Sequence, residues 1–202
     1  MKRALSICLS VLLALSLCAC NSQPKQISVL GPENILETAL NKSPEEVESA
    51  LEVTFSEENR NQATGGYVFP CSVTFGEQTA DQVELQFAQE KLSAAMYTFS
   101  DIQSPEDGWE FLKRLGQTLG KEGWKSAMED LYGQSSSFER YDSYDAFYTA
   151  AKEQWDSNPL PAEGIDLYYV GEHAQCELSL AVSQEGAFST TVTYSEIRWD
   201  DM

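Results

Sequence analysis

Hydrophobic and polar residues alternate along several short stretches of the chain, and this period of two predicts β-strands. The predicted strands are 67–75, 83–87, 92–99, 165–170, 175–183 and 187–199. Pro70 lacks a backbone donor, so the first of them is expected at a sheet edge or at a bulge. The short links between consecutive strands predict two antiparallel meanders of three strands each.

Apolar residues at intervals of three and four predict helices before each meander. The predicted helices are 32–41, 44–53, 105–120, 123–132 and 144–155. Ser43-Pro44-Glu45-Glu46 supplies an N-cap, a first-turn proline and a capping-box glutamate. Ser104-Pro105-Glu106-Asp107 repeats this start signal, and Gly120 marks the end of the helix that follows it.

This order of elements predicts an α+β fold in which antiparallel β-meanders carry helices on one face of the sheet. We expect a single globular domain over 32–202. The recurring order and the recurring Ser-Pro-Glu start indicate a duplicated helix-plus-three-strand unit, with halves at 32–103 and 104–202.

The first 19 residues have the pattern of a signal peptide. Lys2 and Arg3 precede an apolar run that ends at Leu17-Cys18-Ala19-Cys20. Leu17, Ala19 and Cys20 resemble the lipobox of bacterial lipoproteins, which implies removal of 1–19, lipidation of Cys20 and a polar tether over 20–31. A transmembrane anchor and an ordinary cleaved signal remain alternatives, although the run is shorter than the roughly 20 residues that a spanning helix needs.

The chain is strongly acidic, with a formal net charge of −19 at pH 7. Removal of 1–19 makes the charge more negative still, because that segment holds two cations and no carboxylate. Such a surface repels the phosphates of nucleic acids and of anionic lipids. We therefore expect no nucleic-acid partner, and we expect the protein to be held at the extracytoplasmic face of a cell membrane by its N-terminal lipid.

Two cysteines remain outside the signal segment, Cys71 and Cys176. In an oxidising compartment a leftover pair suggests one disulfide. Each residue also lies in register with the apolar positions of its own predicted strand, which suits a buried thiol equally well. The disulfide and the pair of separate thiols both remain open.

The sequence contains no recognisable catalytic motif. His173 is the only histidine and lies in a predicted turn, where a solvated surface role is the ordinary one. Nucleophile elbows, phosphate loops and paired metal ligands are not found. With 32 acidic residues, neighbouring carboxylates arise by chance. We therefore predict a protein that is not an enzyme and that uses no cofactor and no metal.

Aromatic residues are dense late in the chain. The members of this aromatic cluster are Tyr141, Tyr144, Tyr148, Trp155, Tyr168 and Tyr169. Packing between a helix and the sheet is one explanation. The other is an exposed patch that contacts a glycan or a protein, because tyrosine and tryptophan dominate such surfaces.

One helix start resembles two known families. The residues concerned are Lys42-Ser43-Pro44-Glu45-Glu46-Val47 and Leu51, ahead of a strand meander. They are similar to the small lipoproteins of the β-barrel assembly machinery and to the tandem-repeat β-lactamase inhibitor proteins. Glu52 stands where a glycine usually follows the leucine. The resemblance implies an α+β fold that binds proteins and performs no chemistry.

Two function hypotheses follow. The first is a non-catalytic envelope lipoprotein with a protein-binding or scaffolding role and an envelope protein as partner. The second is a ligand-binding lipoprotein that captures a glycan or peptide through the aromatic cluster. An exposed apolar patch without a pocket would favour the first, and a deep aromatic-lined cleft would favour the second.

Overall fold

A computed structural model of the chain describes residues 28–126, 141–157, 162–183 and 185–197, without the side chains of 154–157 and 162–167. The helices in this part of the chain are α1 Pro32–Thr38, α2 Pro44–Leu51, α3 Pro105–Lys121 and α4 Tyr144–Ser157. The strands are β1 Tyr67–Phe75, β2 Gln78–Ala88, β3 Lys91–Thr98, β4 Lys125–Ser126, β5 Ala162–Val170, β6 Ala174–Ser183 and β7 Phe188–Glu196. None of these helices is long and apolar enough to cross a membrane. The signal segment and Cys20 lie outside the described residues.

All seven strands form one antiparallel sheet in the order β1-β2-β3-β7-β6-β5-β4. The two meanders join through their third strands, since β3 pairs with β7 from Ala94↔Ser195 to Thr98↔Thr191. Both halves of the chain therefore share a single sheet, and each half contributes three long strands. The α+β prediction is confirmed.

Strand β1 lies at the edge of the sheet and contains a bulge, as Pro70 predicts. It pairs with β2 on one side, and its register shifts between Pro70 and Val73. This bulge accommodates a residue that cannot donate to the ladder. Val73 and Phe75, beyond the bulge, are buried in the core.

The helices cover one face of the sheet. Helix α3 packs against β6 and β7, and α2 packs against β3. Strand β6 alternates strictly between buried and half-buried positions, and its buried residues Cys176, Leu178 and Leu180 belong to one cluster with Trp109 and Leu112 of α3. The prediction that the helices pack on one face of the sheet is thus confirmed.

The prediction of a helix over 123–132 is wrong for its first four residues, 123–126. Gly123 has a φ of 93°, a left-handed value at which an α-helix ends, and the Trp124 N–H bonds back to Leu119 O at 3.0 Å. Lys125 and Ser126 then form β4 and pair with the end of β5. Residues 127–140 lie outside the described part of the chain.

The disulfide alternative for Cys71 and Cys176 is also wrong, because both are free thiols. Their strands, β1 and β6, are separated by β2, β3 and β7. Four strand spacings amount to roughly 19 Å, far beyond the Cα separation of about 7 Å that a disulfide tolerates. Desolvation raises the pKa of both thiols, and that of the fully buried Cys176 rises to about 12.

Candidate binding cleft on the open face of the sheet

The face of the sheet opposite α2 and α3, here called the open face, is lined mainly by hydroxyl, amide and carboxylate groups. Cross-strand register orders its side chains in rows. The rows are Gln82-Thr98-Thr191-Ser179, Glu84-Met96-Thr193-Glu177-Tyr168 and Gln86-Ala94-Ser195-Gln175. The third row continues through Val170 of β5 to Lys125 of β4. The open face is therefore mainly polar.

A cleft of about 700 Å³ opens on this face near the ends of β3 and β7. Its walls are residues 64–66 on one side and Gln175, Ser195 and Glu196 on the other, and Gln86 and Ser93 also line it. The volume falls in the range of pockets that hold ligands. Its lining is mostly polar, with Phe87 as its one aromatic member.

Glu84 holds the 59–66 loop onto the open face. The residue is only 4% exposed, and its carboxylate accepts hydrogen bonds from Asn61 Nδ2 at 2.8 Å, from Thr64 Oγ1 and from Gln86 Nε2 at 3.3 Å. A buried carboxylate is stable only when such donors replace water. Two of the three donors come from the loop, so the carboxylate fixes the loop as the wall of the cleft.

Gly66 makes this arrangement sterically feasible. A Cβ at Gly66 would lie 2.5 Å from Glu84 Oε1, a separation that side-chain carbons do not adopt. The neighbouring Gly65 has a φ of 80°, in the left-handed region that favours glycine. The Gly65-Gly66 pair thus allows the loop to turn directly above the carboxylate.

Glu196 ends β7 beside the cleft, and strand alternation places its side chain on the helix side with Val192 and Tyr194. Asn41 Nδ2 donates to Glu196 Oε1 at 2.6 Å, and Asn41 N–H donates to Leu92 O at 2.9 Å. Asn41 has a φ of 66°, which asparagine tolerates better than most residues. The link between α1 and α2 therefore holds Glu196 in place against the end of the sheet.

Three tyrosines of the aromatic cluster lie on the helix side of the molecule. Tyr144 is buried and contacts the ring of Trp109, with ring centroids 6.5 Å apart. Tyr148 stacks on Tyr144 at 5.8 Å, and Tyr141 contacts Phe147 at 5.8 Å. Desolvation raises the pKa of Tyr144 to about 12. These rings pack α4 against α3.

The other members of the cluster are dispersed. Tyr169 points to the helix side, where its Oη lies directly against Gly116 of α3. Tyr168 lies on the open face, 37% exposed, and donates to Glu177 Oε1 at 3.1 Å. The side chain of Trp155 lies outside the described residues. The structure does not bring the cluster together as one exposed aromatic surface.

His173 lies in a solvent-exposed turn. Its side chain is 88% exposed, and its Nε2 lies 3.7 Å from Glu172 Oε1 in the turn between β5 and β6. Within the described ranges, no group of three or more histidine, cysteine or acidic side chains could hold a metal ion.

Sequence reasoning missed the cleft. Glu84 sits between Val83 and Leu85 in a clean alternation, where a solvent-facing carboxylate is the ordinary interpretation. Only the fold shows that the polar 59–66 loop returns over it. No protein-family model matches the chain, and no curated protein or solved structure is significantly similar to it. Function is therefore inferred from the residues and their geometry.

Proposed function

We propose that this protein is a non-catalytic lipoprotein of the cell envelope that binds a partner protein through the open face of its sheet. The observation that carries the proposal is the cleft-bearing face opposite the helices. The five spacings across its six long strands amount to about 24 Å, and eight residues of a strand extend about 26 Å. That footprint is of the same order as the roughly 800 Å² that each partner buries in a standard protein–protein interface.

The described residues form no exposed apolar patch, so the feature expected of the first hypothesis is missing, and the proposal relies instead on the polar composition of the open face. Among the described residues, the large hydrophobic side chains that are exposed are Val29 and Tyr168. Interfaces of this non-obligate kind are about as polar as the rest of a protein surface, with tyrosines as energetic anchors. Tyr168, oriented by Glu177, is such an anchor.

The alternative, capture of a glycan or peptide through the aromatic cluster, has less support. Only Tyr168 of the described cluster side chains lies on the open face, and the cleft has a single aromatic residue in its lining. The protein-binding hypothesis needs no stacked aromatic platform.

The lipid anchor is proposed on the resemblance of Leu17, Ala19 and Cys20 to a lipobox. Intact-mass and peptide mass spectrometry of the protein isolated from membranes tests it. Acyl chains on Cys20 and loss of 1–19 are the expected result, and Cys20→Ser should abolish both. An unmodified Cys20 in the membrane-bound protein would contradict the anchor.

The partner surface is tested with the full-length gene product, purified from membranes in a non-ionic detergent and used as bait on solubilised envelope proteins. Thr193→Arg places a long side chain at the centre of the open face, opposite Glu177. Gln117→Arg makes the same charge change on the exposed side of α3 and serves as the matched control.

Mass spectrometry should find one or two proteins retained at near-stoichiometric amounts by the unaltered protein and by Gln117→Arg. Thr193→Arg should lose them, because a single mismatched side chain at the centre of an interface removes most of the affinity. Equal retention by all three baits, or no retained protein, would contradict the proposal.

A further inference from the structure

We infer that the cleft binds an extended, uncharged segment of the partner's polypeptide chain, through the main-chain amides of that segment. The inference rests on the proposed function, because the segment belongs to a protein docked on the open face. Three features carry it: the profile of the cleft floor, the hydrogen-bonding groups that its walls leave unused, and the neutrality of its lining.

The floor of the cleft is a trough that runs across the strands. Its row is Gln86-Ala94-Ser195-Gln175, in which two short side chains stand between two long ones. Residues 64–66 form the wall on the Gln86 side. The row crosses β2, β3, β7 and β6, so its ends lie about 14 Å apart at the usual strand spacing. An extended chain covers that length with about four residues.

The backbone donors of the loop wall are engaged within the loop itself. Gly65 N–H donates to Asn61 O at 2.7 Å, and Gly66 N–H donates to Thr64 Oγ1 at 3.2 Å. Asn61 N–H in turn donates to Gly66 O at 2.8 Å. These three N–H groups are therefore not offered to a ligand.

The β2 and β3 side of the cleft presents hydrogen-bond acceptors. Ser93 Oγ donates its one hydrogen to Gln86 O at 3.0 Å, so lone pairs are what this hydroxyl offers to a ligand. Gln86 Nε2 donates to Glu84 Oε1 at 3.3 Å, which orients the side-chain amide and turns its oxygen away from that carboxylate. A ligand on this side of the cleft must bring donors.

The β6 and β7 side presents donors that are not yet used. Gln175 and Ser195 face each other across the two strands, and both line the cleft. Within the described part of the chain, neither the Gln175 amide nor the Ser195 hydroxyl makes a side-chain hydrogen bond. A ligand that displaces water here must bring acceptors, because a donor left without a partner costs free energy.

The lining of the cleft is uncharged on the open face. Glu84 beneath the loop already accepts three hydrogen bonds, and the Glu196 side chain lies on the helix side, where Asn41 holds it. No lysine, arginine or histidine is among the described lining residues. A charged group in the cleft would lose water without gaining a counter-ion. The cleft therefore favours a neutral ligand, although the chain as a whole is strongly acidic.

A polypeptide main chain meets all of these requirements. Every residue except proline carries one N–H donor and one C=O acceptor, so four residues supply donors to the Ser93 side and acceptors to the Gln175 side. Phe87, the aromatic residue of the lining, packs edge-on against Phe55 at 5.2 Å and Tyr67 at 6.2 Å between ring centroids. Because that ring is engaged in the protein's own packing, a sugar ring gains less from the described lining than a peptide does.

The test uses the full-length gene product in non-ionic detergent, with short capped peptides of alternating serine and glycine as probes. In a matched peptide, sarcosine replaces every glycine, which removes those N–H donors and keeps the carbonyls and the zero net charge. Further probes are peptides with one central lysine or one central glutamate, and maltotriose as a neutral sugar. Isotope-labelled glycine reports on the amides of Gly65 and Gly66 in the cleft wall, with Gly120 on α3 as the internal reference.

The serine–glycine peptide should shift the Gly65 and Gly66 signals saturably and leave the Gly120 signal in place. The sarcosine peptide should bind about tenfold more weakly, because hydrogen bonds to the acceptors of the cleft are lost. The lysine and glutamate peptides should bind no more tightly than the serine–glycine peptide.

Two variants locate the binding. Gln175→Met keeps the length of the side chain and removes its donors, and it should weaken binding of the serine–glycine peptide about fivefold. Gln117→Met makes the same change on the exposed side of α3 and should leave the affinity within about twofold. Ser195→Ala removes the neighbouring hydroxyl and should weaken binding in the same direction as Gln175→Met.

Several results would overturn the inference. They are no saturable shift with the serine–glycine peptide, equal affinity of the sarcosine peptide, or equal effects of Gln175→Met and Gln117→Met. Binding of a charged peptide about tenfold more tightly would contradict the neutral cleft. Binding of maltotriose about tenfold more tightly than any peptide would assign the cleft to a sugar instead.

The fate of the inference is separable from that of the proposed function. If Thr193→Arg loses the captured partner while Gln175→Met retains it fully and the peptides do not bind, the open face still binds a protein and only the assignment of the cleft fails. If the unaltered protein captures nothing, the proposed function fails and the partner-borne segment fails with it.

Discussion

Asn61 donates its side-chain amide to Glu84 at 2.8 Å, across 23 residues of sequence. This contact lies beneath the surface of the open face, since Glu84 is only 4% exposed. It joins a polar loop to the centre of β2. The wall of the cleft exists because of this contact and the parallel one from Thr64.

Glu84→Gln should lower the free energy of unfolding by about 1–3 kcal/mol, because the new amide turns hydrogens toward donors that then lack an acceptor. Urea denaturation measures the change, and amide exchange at Gly65 and Gly66 should become faster. Glu177→Gln on the same face should cost less than about 0.5 kcal/mol. Similar losses in both variants would contradict the special role of Glu84.

Two glycines of α3 should respond oppositely to alanine. A methyl group on Gly116 would overlap Tyr169 Oη, whereas a methyl group on Gly120 meets nothing within 4 Å. We expect Gly116→Ala to lower stability by about 1–3 kcal/mol through overpacking. Gly120→Ala should raise it by about 0.5–1 kcal/mol through helix propensity. Thermal unfolding of the two variants measures both effects, and stabilisation by Gly116→Ala would contradict the packing of Tyr169 on α3.

The capping box of α2 should make the free energy of unfolding depend on pH in the acid range. Ser43 N–H donates to Glu46 Oε2 at 3.0 Å, and this bond is the main cause that holds the pKa of Glu46 below its ordinary value of 4.5. A carboxyl with a lower pKa in the folded state stabilises the protein above its unfolded pKa. That contribution is lost as the pH falls through the folded pKa.

Glu46→Ala should therefore be less stable than the unaltered protein near neutral pH, and the difference should shrink toward zero as the pH falls well below 4.5. Glu45→Ala, in the same turn, controls for the helix-dipole effect that both carboxylates share. Urea denaturation across this pH range measures both. A Glu46→Ala deficit that does not change with pH would show that the capping bond to the carboxylate is not formed.

The thiols should differ in reactivity. Half-buried Cys71 should alkylate in the native protein, and buried Cys176, whose pKa rises to about 12, should react only after unfolding. Peptide mass spectrometry after alkylation measures each site separately. Stability should also fall as the pH rises above 9.0, the ordinary pKa of a thiol, because the unfolded state releases the Cys176 proton first. A peptide pair linked Cys71–Cys176 would contradict the strand order.

Glu52 occupies a helix-end position at which glycine is the usual residue. It caps α2 in the left-handed region, with a φ of 53°, where glycine is unstrained. Glu52→Gly should raise stability by about 0.5–1 kcal/mol, and Glu52→Ala, which retains the Cβ, should not. Denaturant midpoints compare the two variants. Equal effects would show that backbone conformation at this position is not the cause.

Local periodicity predicted most of the elements. Period-two alternation located the strands, and cap residues located the starts of α2 and α3, because both signals are properties of neighbouring residues. The β4 segment was mistaken for helix since Trp124 and its neighbours have helical spacing, whereas the pairing of Lys125 with Val170 is a long-range contact.

The relation between the halves needed the structure. The Ser-Pro-Glu starts belong to α2 and α3, but α2 directly precedes its meander and α4 follows α3 before the second. By order of elements α1 corresponds to α3, and their starts share Pro32-Glu33 and Pro105-Glu106. The pairing of β3 with β7 joins residues about a hundred positions apart, which no local pattern encodes.

The cleft could not be predicted for the same reason. Thr64, Gln86 and Gln175 come from three separate regions of sequence, and each is an ordinary polar residue in its own neighbourhood. The tyrosines illustrate the converse. Tyr168 and Tyr169 are adjacent in sequence but lie on opposite faces of β5. Residues that are clustered along the chain are therefore separated in the fold.

Site-specific photo-crosslinking in the cells that make the protein tests the open face as the partner-binding surface most directly. A photoreactive phenylalanine analogue replaces Thr193 on the open face or Gln117 on α3 in the full-length gene product. Irradiation should yield a discrete adduct with one partner protein from position 193 and none from position 117. An adduct from position 117 alone, or equal adducts from both positions, would contradict binding through the open face.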